Sequence, residues 1–383
     1  MKVFKAMRLG LMMSLAASGW AVCPAGAAPI QNVILCIGDG MGFEQIRAAR
    51  YYYAQYMSFE SFPCSVSGIN TACADSAVPG EAGAATALAT GVRVNSDVVS
   101  VATPGDGREL ETLLEFYKRK GKHAGLVTTS YMTDATPAAF GAHEANRINY
   151  SQIANDYFTQ TRPNVLFGGS GSGMSLISAT NAGYVVVTNR TQMQALDTET
   201  QTFVSGQFGS SYMPFEYDGV GVLPHLSEMT YTALRILDNN PNGFFLMVEG
   251  ALIDQACHYP DLDRMIPEVR EFDLAVQEVI NWAGSRTDTL VIVTGDHETG
   301  GLAVTADNGP GSNPTVTWST TDHTTNPMPA YAWGLFSEEV TNVTANTGIH
   351  GVGRPVVLSP PVCSNVAISA GVNFQMGWGV VSG

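Results

Sequence analysis

Five segments of the chain are apolar at almost every position: "NVILCI" (32–37), "HAGLVTT" (123–129), "NVLFGG" (164–169), "GFFLMVEG" (243–250) and "TLVIVTGDH" (289–297). A strand with one wet face alternates apolar and polar residues, whereas an uninterrupted run has to be covered on both faces, as in parallel sheets. Between the runs lie stretches with helical patterning: "ELETLLEFYKRKGK" before the second, "LSEMTYTALRILDNN" before the fourth and "MIPEVREFDLAVQEVINWAG" before the fifth. This alternation predicts an α/β fold, a mostly parallel central sheet with helices on both faces. At 383 residues, 45% of them hydrophobic, the chain can bury one large domain or one domain with an appendage.

In open parallel sheets the working groups sit just beyond the carboxyl ends of the strands. Asp39, Asp134, Glu249, Asp296 and His297 all fall at such ends. One strand-end aspartate is commonly a turn or cap residue, but five polar groups at equivalent places point to a site. "EGALIDQACH" adds Asp254 and His258 at i, i+4, on one face of a helical turn where both can reach one zinc ion. "TTDHTTNPMPAYAWG" adds His323 in a loop before an apolar strand. With 19 basic against 34 acidic residues the net charge is −15, which argues against nucleic acid or an anionic membrane surface as partner. Positive charge for an anionic substrate must then be local or come from metal.

The ends of the chain differ in character from its centre. Lys2, Lys5 and Arg8, an apolar run and Ala25-Gly26-Ala27 read as a secretory signal peptide over 1–27, giving an exported, periplasmic or extracellular protein with no membrane span in the mature chain. Residues 28–348 read as the catalytic domain. Residues 349–383 open on a Pro-containing linker and continue in short β-like segments, either the start of a truncated β domain or a tail that packs on the catalytic domain. Loss of Cys23 leaves Cys36, Cys64, Cys73, Cys257 and Cys363. Only Cys64 and Cys73 could close a short loop, Cys36 reads as a buried strand residue, and no CxxC spacing marks a zinc cage.

The motifs "VILCIGDGMG", "TDATPAAFGAHEANR", "VLFGG", "NPNGFFLMVEGALIDQACH", "TGDHETGG" and "DHT" occur in the order seen in the alkaline phosphatase family, which the chain resembles over roughly 30–340. The resemblance implies two zinc ions and one magnesium ion. Asp254, His258 and His323 would hold the first zinc, and Asp39, Asp296 and His297 the second. Asp39, Asp134, Thr136 and Glu249 would hold magnesium, an all-oxygen set that suits it. Arg147 stands at the spacing of the arginine that grips phosphate, where a guanidinium offers two parallel donors. The implied activity is hydrolysis of phosphate monoesters on small phosphorylated substrates. The other readings are a phosphodiesterase or sulfatase-like relative, or a non-catalytic metal-loaded protein that binds phosphate. A homodimer is left open by the resemblance; no residue pattern marks a dimer face.

The nucleophile departs from the family pattern. Counting back from "ATALATG" puts Gly80 on the family's aspartate and Glu81 on its serine. The alternative keeps Asp75-Ser76-Ala77 as the motif with a five-residue insertion, which could carry Ser76 roughly 17 Å away. The ungapped register is the expectation, with Asp75-Ser76 a turn. Glu81 could then ligate the second zinc, act as base for a zinc-bound water or attack phosphorus. Gly80 removes a carboxylate that would orient Arg147, which predicts a looser arginine.

Overall fold

The apolar runs become the centre of the sheet because each strand has a face for each of two cores. The computed structural model describes residues 30–355. The signal peptide, the segment after 355 and Cys363 lie outside the described residues. In chain order the strands are β1 (Asn32–Gly38), β2 (Cys64–Ile69), β3 (His123–Tyr131), β4 (Val165–Gly169), β5 (Val185–Val187), β6 (Val204–Gln207), β7 (Phe244–Gly250) and β8 (Thr289–Thr294). They continue as β9 (Glu298–Thr299), β10 (Ala303–Ala306), β11 (Thr315–Thr317), β12 (His323–Thr324) and β13 (Met328–Gly334).

Nine of them form one sheet in the order β2-β13-β8-β1-β7-β3-β4-β6-β5. Every pair from β8 to β5 is parallel, and β13 runs antiparallel to both β8 and β2. The mostly parallel α/β fold expected from the apolar runs is therefore present, with an antiparallel strand near one edge. Ile34 and Cys36 of β1 point into one core with Val127, Leu246, Val248, Val291 and Val293. Val33, Leu35 and Ile37 point into the other with Leu126, Phe245, Met247, Leu290 and Ile292. Because successive residues enter opposite cores, the middle of β1 is apolar at every position.

The Leu226–Leu237 and Leu262–Ala283 helices cover the first face through Met229, Ala233, Leu234, Val269, Phe272 and Val276. The Glu81–Thr90, Ala135–Gly141, Tyr150–Thr159 and Asn346–Gly353 helices cover the second. Truncating a buried ring such as Phe272 would cost about 3–5 kcal/mol, the usual penalty for deleting a core aromatic. The last of these helices runs across the boundary drawn at 348 and buries Ile349 and Val352, so packed structure extends beyond that boundary. Among the described residues no helix is long and apolar enough to cross a membrane.

Cys36 is buried in β1, as its apolar run requires. Cys64 and Cys73 are not joined: the Cys64 sulfur accepts from the Ser337 hydroxyl at 3.6 Å, and the Cys73 sulfur accepts from the Gly80 amide at 3.3 Å.

Candidate metal centre at the strand ends

β8, β1, β7 and β3 are consecutive neighbours in the sheet, and their carboxyl ends deliver the acids. Asp39 follows β1, Glu249 is the penultimate residue of β7, Asp296 and His297 follow β8, and Asp134 caps the helix after β3. Gly40 makes the first of these turns possible. Its φ is +67°, and a Cβ there would come within 2.9 Å of Asp254 Cα and Oδ1. The Gly40 amide donates to Asp296 Oδ1 at 3.3 Å, so the ends of β1 and β8 are tied together.

The structure gathers most of the residues singled out in the sequence. One group brings ligand atoms of Asp39, Asp296 and His297 within 4.8 Å of one another, the set expected for the second zinc. Another brings together Asp254, His297 and His323, while His258 Nε2 stands 3.2 Å from Asp254 Oδ2. His297 thus faces both sets, and its ring stacks on His323 with centroids 3.7 Å apart. A third group joins Asp39 and Glu249 with Glu81. Asp134 is turned elsewhere: it accepts from the Ser130 hydroxyl, from Ala135 N at 2.9 Å and from Arg147.

The histidines are held in one tautomer by their outer nitrogens. His258 Nδ1 donates to the Thr321 carbonyl at 2.6 Å and His323 Nδ1 to the Pro79 carbonyl at 2.7 Å. A carbonyl can only accept, so each Nδ1 carries the proton, and in the neutral ring Nε2 presents its lone pair inward. Backbone carbonyls do this for metal-bound imidazoles. Asp254 is pushed up by burial, but the His258 hydrogen bond and the charges of His297, His258 and His323 outweigh that and bring it to about 2.

The donors fit divalent cations on two counts. First, Asp39 Oδ1, Asp296 Oδ2, His297 Nε2, Glu249 Oε1 and Thr136 Oγ1 are buried with no hydrogen-bond partner. Buried polar atoms are otherwise paired almost without exception, because an orphan keeps its full desolvation cost. Second, six carboxylates are buried here, on Asp39, Glu81, Asp134, Glu249, Asp254 and Asp296. Arg147 and three imidazoles cannot balance them. Burial first, then the neighbouring carboxylates, hold Asp39 and Glu249 well above the ordinary carboxyl range, and Asp296 is pushed up to about 7.

Glu81 opens the Glu81–Thr90 helix, with Gly80 as its cap residue. Arg147 Nη1 donates to Glu81 Oε2 at 2.7 Å and Nη2 to Asp134 Oδ1 at 2.5 Å. The looser arginine predicted from Gly80 is therefore not found: Glu81 and Asp134 fix it from two sides. No side chain fits at position 80, since a Cβ there would meet the Ser96 Cβ at 2.5 Å. Ser76 sits outside the three ligand groups. Its neighbour Asp75 is exposed and accepts from Ser96 N and Oγ, both at 2.9 Å, as a loop tie does.

Two contributors escaped the sequence reading. Glu298 is buried and accepts from Gln45 Nε2 at 2.8 Å, Leu302 N at 3.2 Å and the Thr324 hydroxyl. It thereby pins the β9–β12 ribbon that carries His323. Thr299 donates its hydroxyl to Asp254. Their signal lay in "HETGG", whose polar residues directly follow two ligands.

A family model described as alkaline phosphatase matches residues 30–316. Alkaline phosphatase 3 of Bacillus subtilis is 37% identical over 296 residues, which is 73% of this chain and 63% of that protein. Streptomycin-6-phosphate phosphatase of Streptomyces griseus is 30% identical, covering 89% of this chain and 93% of its own. The solved alkaline phosphatase from the Antarctic bacterium TAB5 superposes with a TM-score of 0.76 at 27% identity, over 85% of this chain and 98% of that one. The chain thus spans about 63% of the length of the Bacillus relative. Since the family model runs through every strand-end acid described above and stops just short of His323, the chain belongs to the alkaline phosphatase family.

Proposed function

We propose that the protein is an exported, metal-dependent phosphatase that hydrolyses phosphate monoesters at a two-zinc, one-magnesium site. The observation that carries this reading is the convergence of orphaned, buried donor atoms on the strand ends beside one arginine. Asp254, His258 and His323 would hold one zinc, and Asp39, Asp296 and His297 the other. Asp39 and Glu249 with Thr136 would hold magnesium; Asp134, which the resemblance also assigns to that ion, is engaged by Ser130, Ala135 N and Arg147 and would help to place the arginine instead. When bound, such cations supply charge stabilisation for the attacking and leaving oxygens of an in-line displacement at phosphorus.

The chain's own groups do the rest. Arg147 presents two parallel N–H donors, now taken by two carboxylates, and a phosphoryl group gripped by them would have its non-bridging oxygens oriented. His258 and His323 keep their Nδ1 protons on backbone carbonyls and so hold their rings in place. Export rests on Lys2, Lys5, Arg8 and Ala25-Gly26-Ala27 alone, and mass spectrometry of the secreted N-terminus would show cleavage near residue 27 or 28 if it is right.

A second reading, phosphate binding without turnover, is favoured by the engagement of Arg147 with Glu81. One experiment separates the two. Protein stripped by chelator and reloaded with zinc and magnesium is assayed on p-nitrophenyl phosphate, its diester and the sulfate ester, with Ser76→Ala in parallel, while phosphate binding is followed by calorimetry. Metal-dependent release from the monoester supports the phosphatase. Release from the diester or sulfate moves the assignment to those relatives, and binding with no release moves it to a binding protein. Loss of activity in Ser76→Ala would return the serine to the reaction.

A further inference from the structure

At the strand ends, position 81 puts a carboxylate among the ligand atoms without the resemblance asking for one. Glu81 brings a ligand oxygen within 4.8 Å of those of Asp39 and Glu249. Asp39 Oδ1 and Glu249 Oε1 are buried and without partners. The other oxygen of Glu249 is already taken by the Thr128 hydroxyl at 2.5 Å, so Oε1 is the atom left for a ligand. Glu81 divides its two oxygens similarly: Oε2 receives Arg147 at 2.7 Å, while Oε1 has no protein donor among the described residues.

The surroundings explain why the side chain has to stay there. Residue 81 is the first residue of a ten-residue helix, whose free N–H groups and dipole favour an anion. Gly80 cannot carry a carboxylate because Ser96 fills the space of its side chain. The arginine clamp therefore depends on Glu81 and Asp134 together. The Glu81 side chain is only 10% exposed, against 21% for Arg147, and it meets the guanidinium with one oxygen while grouping with Asp39 and Glu249.

We propose that Glu81 is an added cation ligand and not the group that attacks phosphorus: with Asp39 and Glu249 it forms an all-carboxylate site for a hard divalent ion of the magnesium type, and through Arg147 it joins that site to the phosphate seat. The inference rests on the metal-dependent reading above. Three carboxylate oxygens match the preference of such ions for hard oxygen donors and exclude the nitrogen-rich set that zinc favours. The arrangement also makes Arg147 available only in exchange for Glu81 or Asp134, so anion binding and cation binding are linked through one side chain.

The test is magnesium titration by calorimetry on zinc-loaded wild type, Glu81→Gln and Glu81→Asp, with metal content measured after dialysis. Glutamine keeps the shape and removes the charge; aspartate keeps the charge and shortens the reach. The expected result is a loss of magnesium affinity of at least about tenfold in Glu81→Gln, a smaller loss in Glu81→Asp, and unchanged zinc content in both. Affinity within about twofold of wild type in whichever variant folds overturns the proposal. So does acid-stable label on residue 81 after quenching with radioactive phosphoryl substrate, because that would make Glu81 the attacking group. The titration needs no turnover. Glu81-dependent magnesium binding in a protein inert to every ester would sink the phosphatase reading and leave this one standing, and hydrolysis with Glu81-independent binding would do the reverse.

Discussion

Two clusters of acidic side chains among the described residues are handled in opposite ways. Near the start of the Leu226–Leu237 helix, ligand atoms of Glu216, His225 and Glu271 also lie within 4.8 Å of one another. There the acids complete the backbone. Glu268 accepts from Glu216 N and Glu271 from Ser227 N, each at 2.7 Å, and Glu216 takes His225 Nδ1 at 2.8 Å. These are capping duties, which satisfy amides that a helix or turn leaves free. At the strand ends, by contrast, Asp39, Asp296 and Glu249 each keep an oxygen with no partner. Burial and negative charge are common to both clusters. The unmet hydrogen bond is what separates a site from a cap.

The sharpest way to break that contrast is to neutralise one acid in each cluster. Asp296→Asn should lower hydrolysis of a monoester by more than about a hundredfold and abolish the rise in Tm that metal gives the wild type. In chelated protein the same change should stabilise. The folded-state carboxyl of Asp296 is raised to about 7 by burial and then by Asp254, so its ionisation opposes folding. Stability is lost as pH rises from the ordinary aspartate range, near about 4, through that raised value, and asparagine removes the loss. A chelated Asp296→Asn protein that melts below wild type at pH 8 would show that this carboxylate is already satisfied by the protein.

Arg147→Lys comes next. A lysine cannot make two parallel bonds, so kcat/KM should fall by roughly 10- to 100-fold with the loss of bidentate contact. An unchanged kcat/KM would mean that the Glu81 and Asp134 contacts are merely structural. On the other side of the comparison, Glu271→Leu should cost about 1–3 kcal/mol of stability by leaving Ser227 N without its acceptor, read as a lower Tm. The metal-dependent shift in Tm should persist unchanged in that variant, and its disappearance would make this cluster a second cation site.

The strand-end cluster was largely legible in the sequence and the capping cluster was not, for a physical reason. Parallel strands announce themselves by apolar runs, and the sheet fixes where the residue after each run must lie, so Asp39, Glu249, Asp296 and His297 could be placed together before any coordinates. The short outer strands carry less signal: β5 has three residues, and β2 is half-exposed with an interrupted pattern. Contacts between separate elements leave no periodicity at all. Arg147 meets Glu81 across 66 positions, and Glu216 binds an oxygen of Glu268 across 52. Neither pairing could be read from spacing, so Gly80 suggested a loose arginine where the fold supplies a firm one.

The smallest effect concerns His225, which distinguishes a cap from a ligand by its response to pH. Its pKa is raised, first by the hydrogen bond to Glu216, against the opposing pull of burial, with Glu216 and Glu271 adding attraction and Arg190 repulsion. A raised histidine stabilises the fold fully below its ordinary value of about 6.5, and the contribution disappears as pH rises through the folded-state value. The side chain is 36% exposed, so water screens most of the gain and well under about 1 kcal/mol should remain. Melting curves of metal-free and metal-loaded protein should therefore both show a slight fall in Tm through neutral pH that Glu216→Gln removes. A cation bound by His225 would need the neutral ring, which predicts the opposite slope: added metal would stabilise more as pH rises, and Glu216→Gln would remove that gain instead.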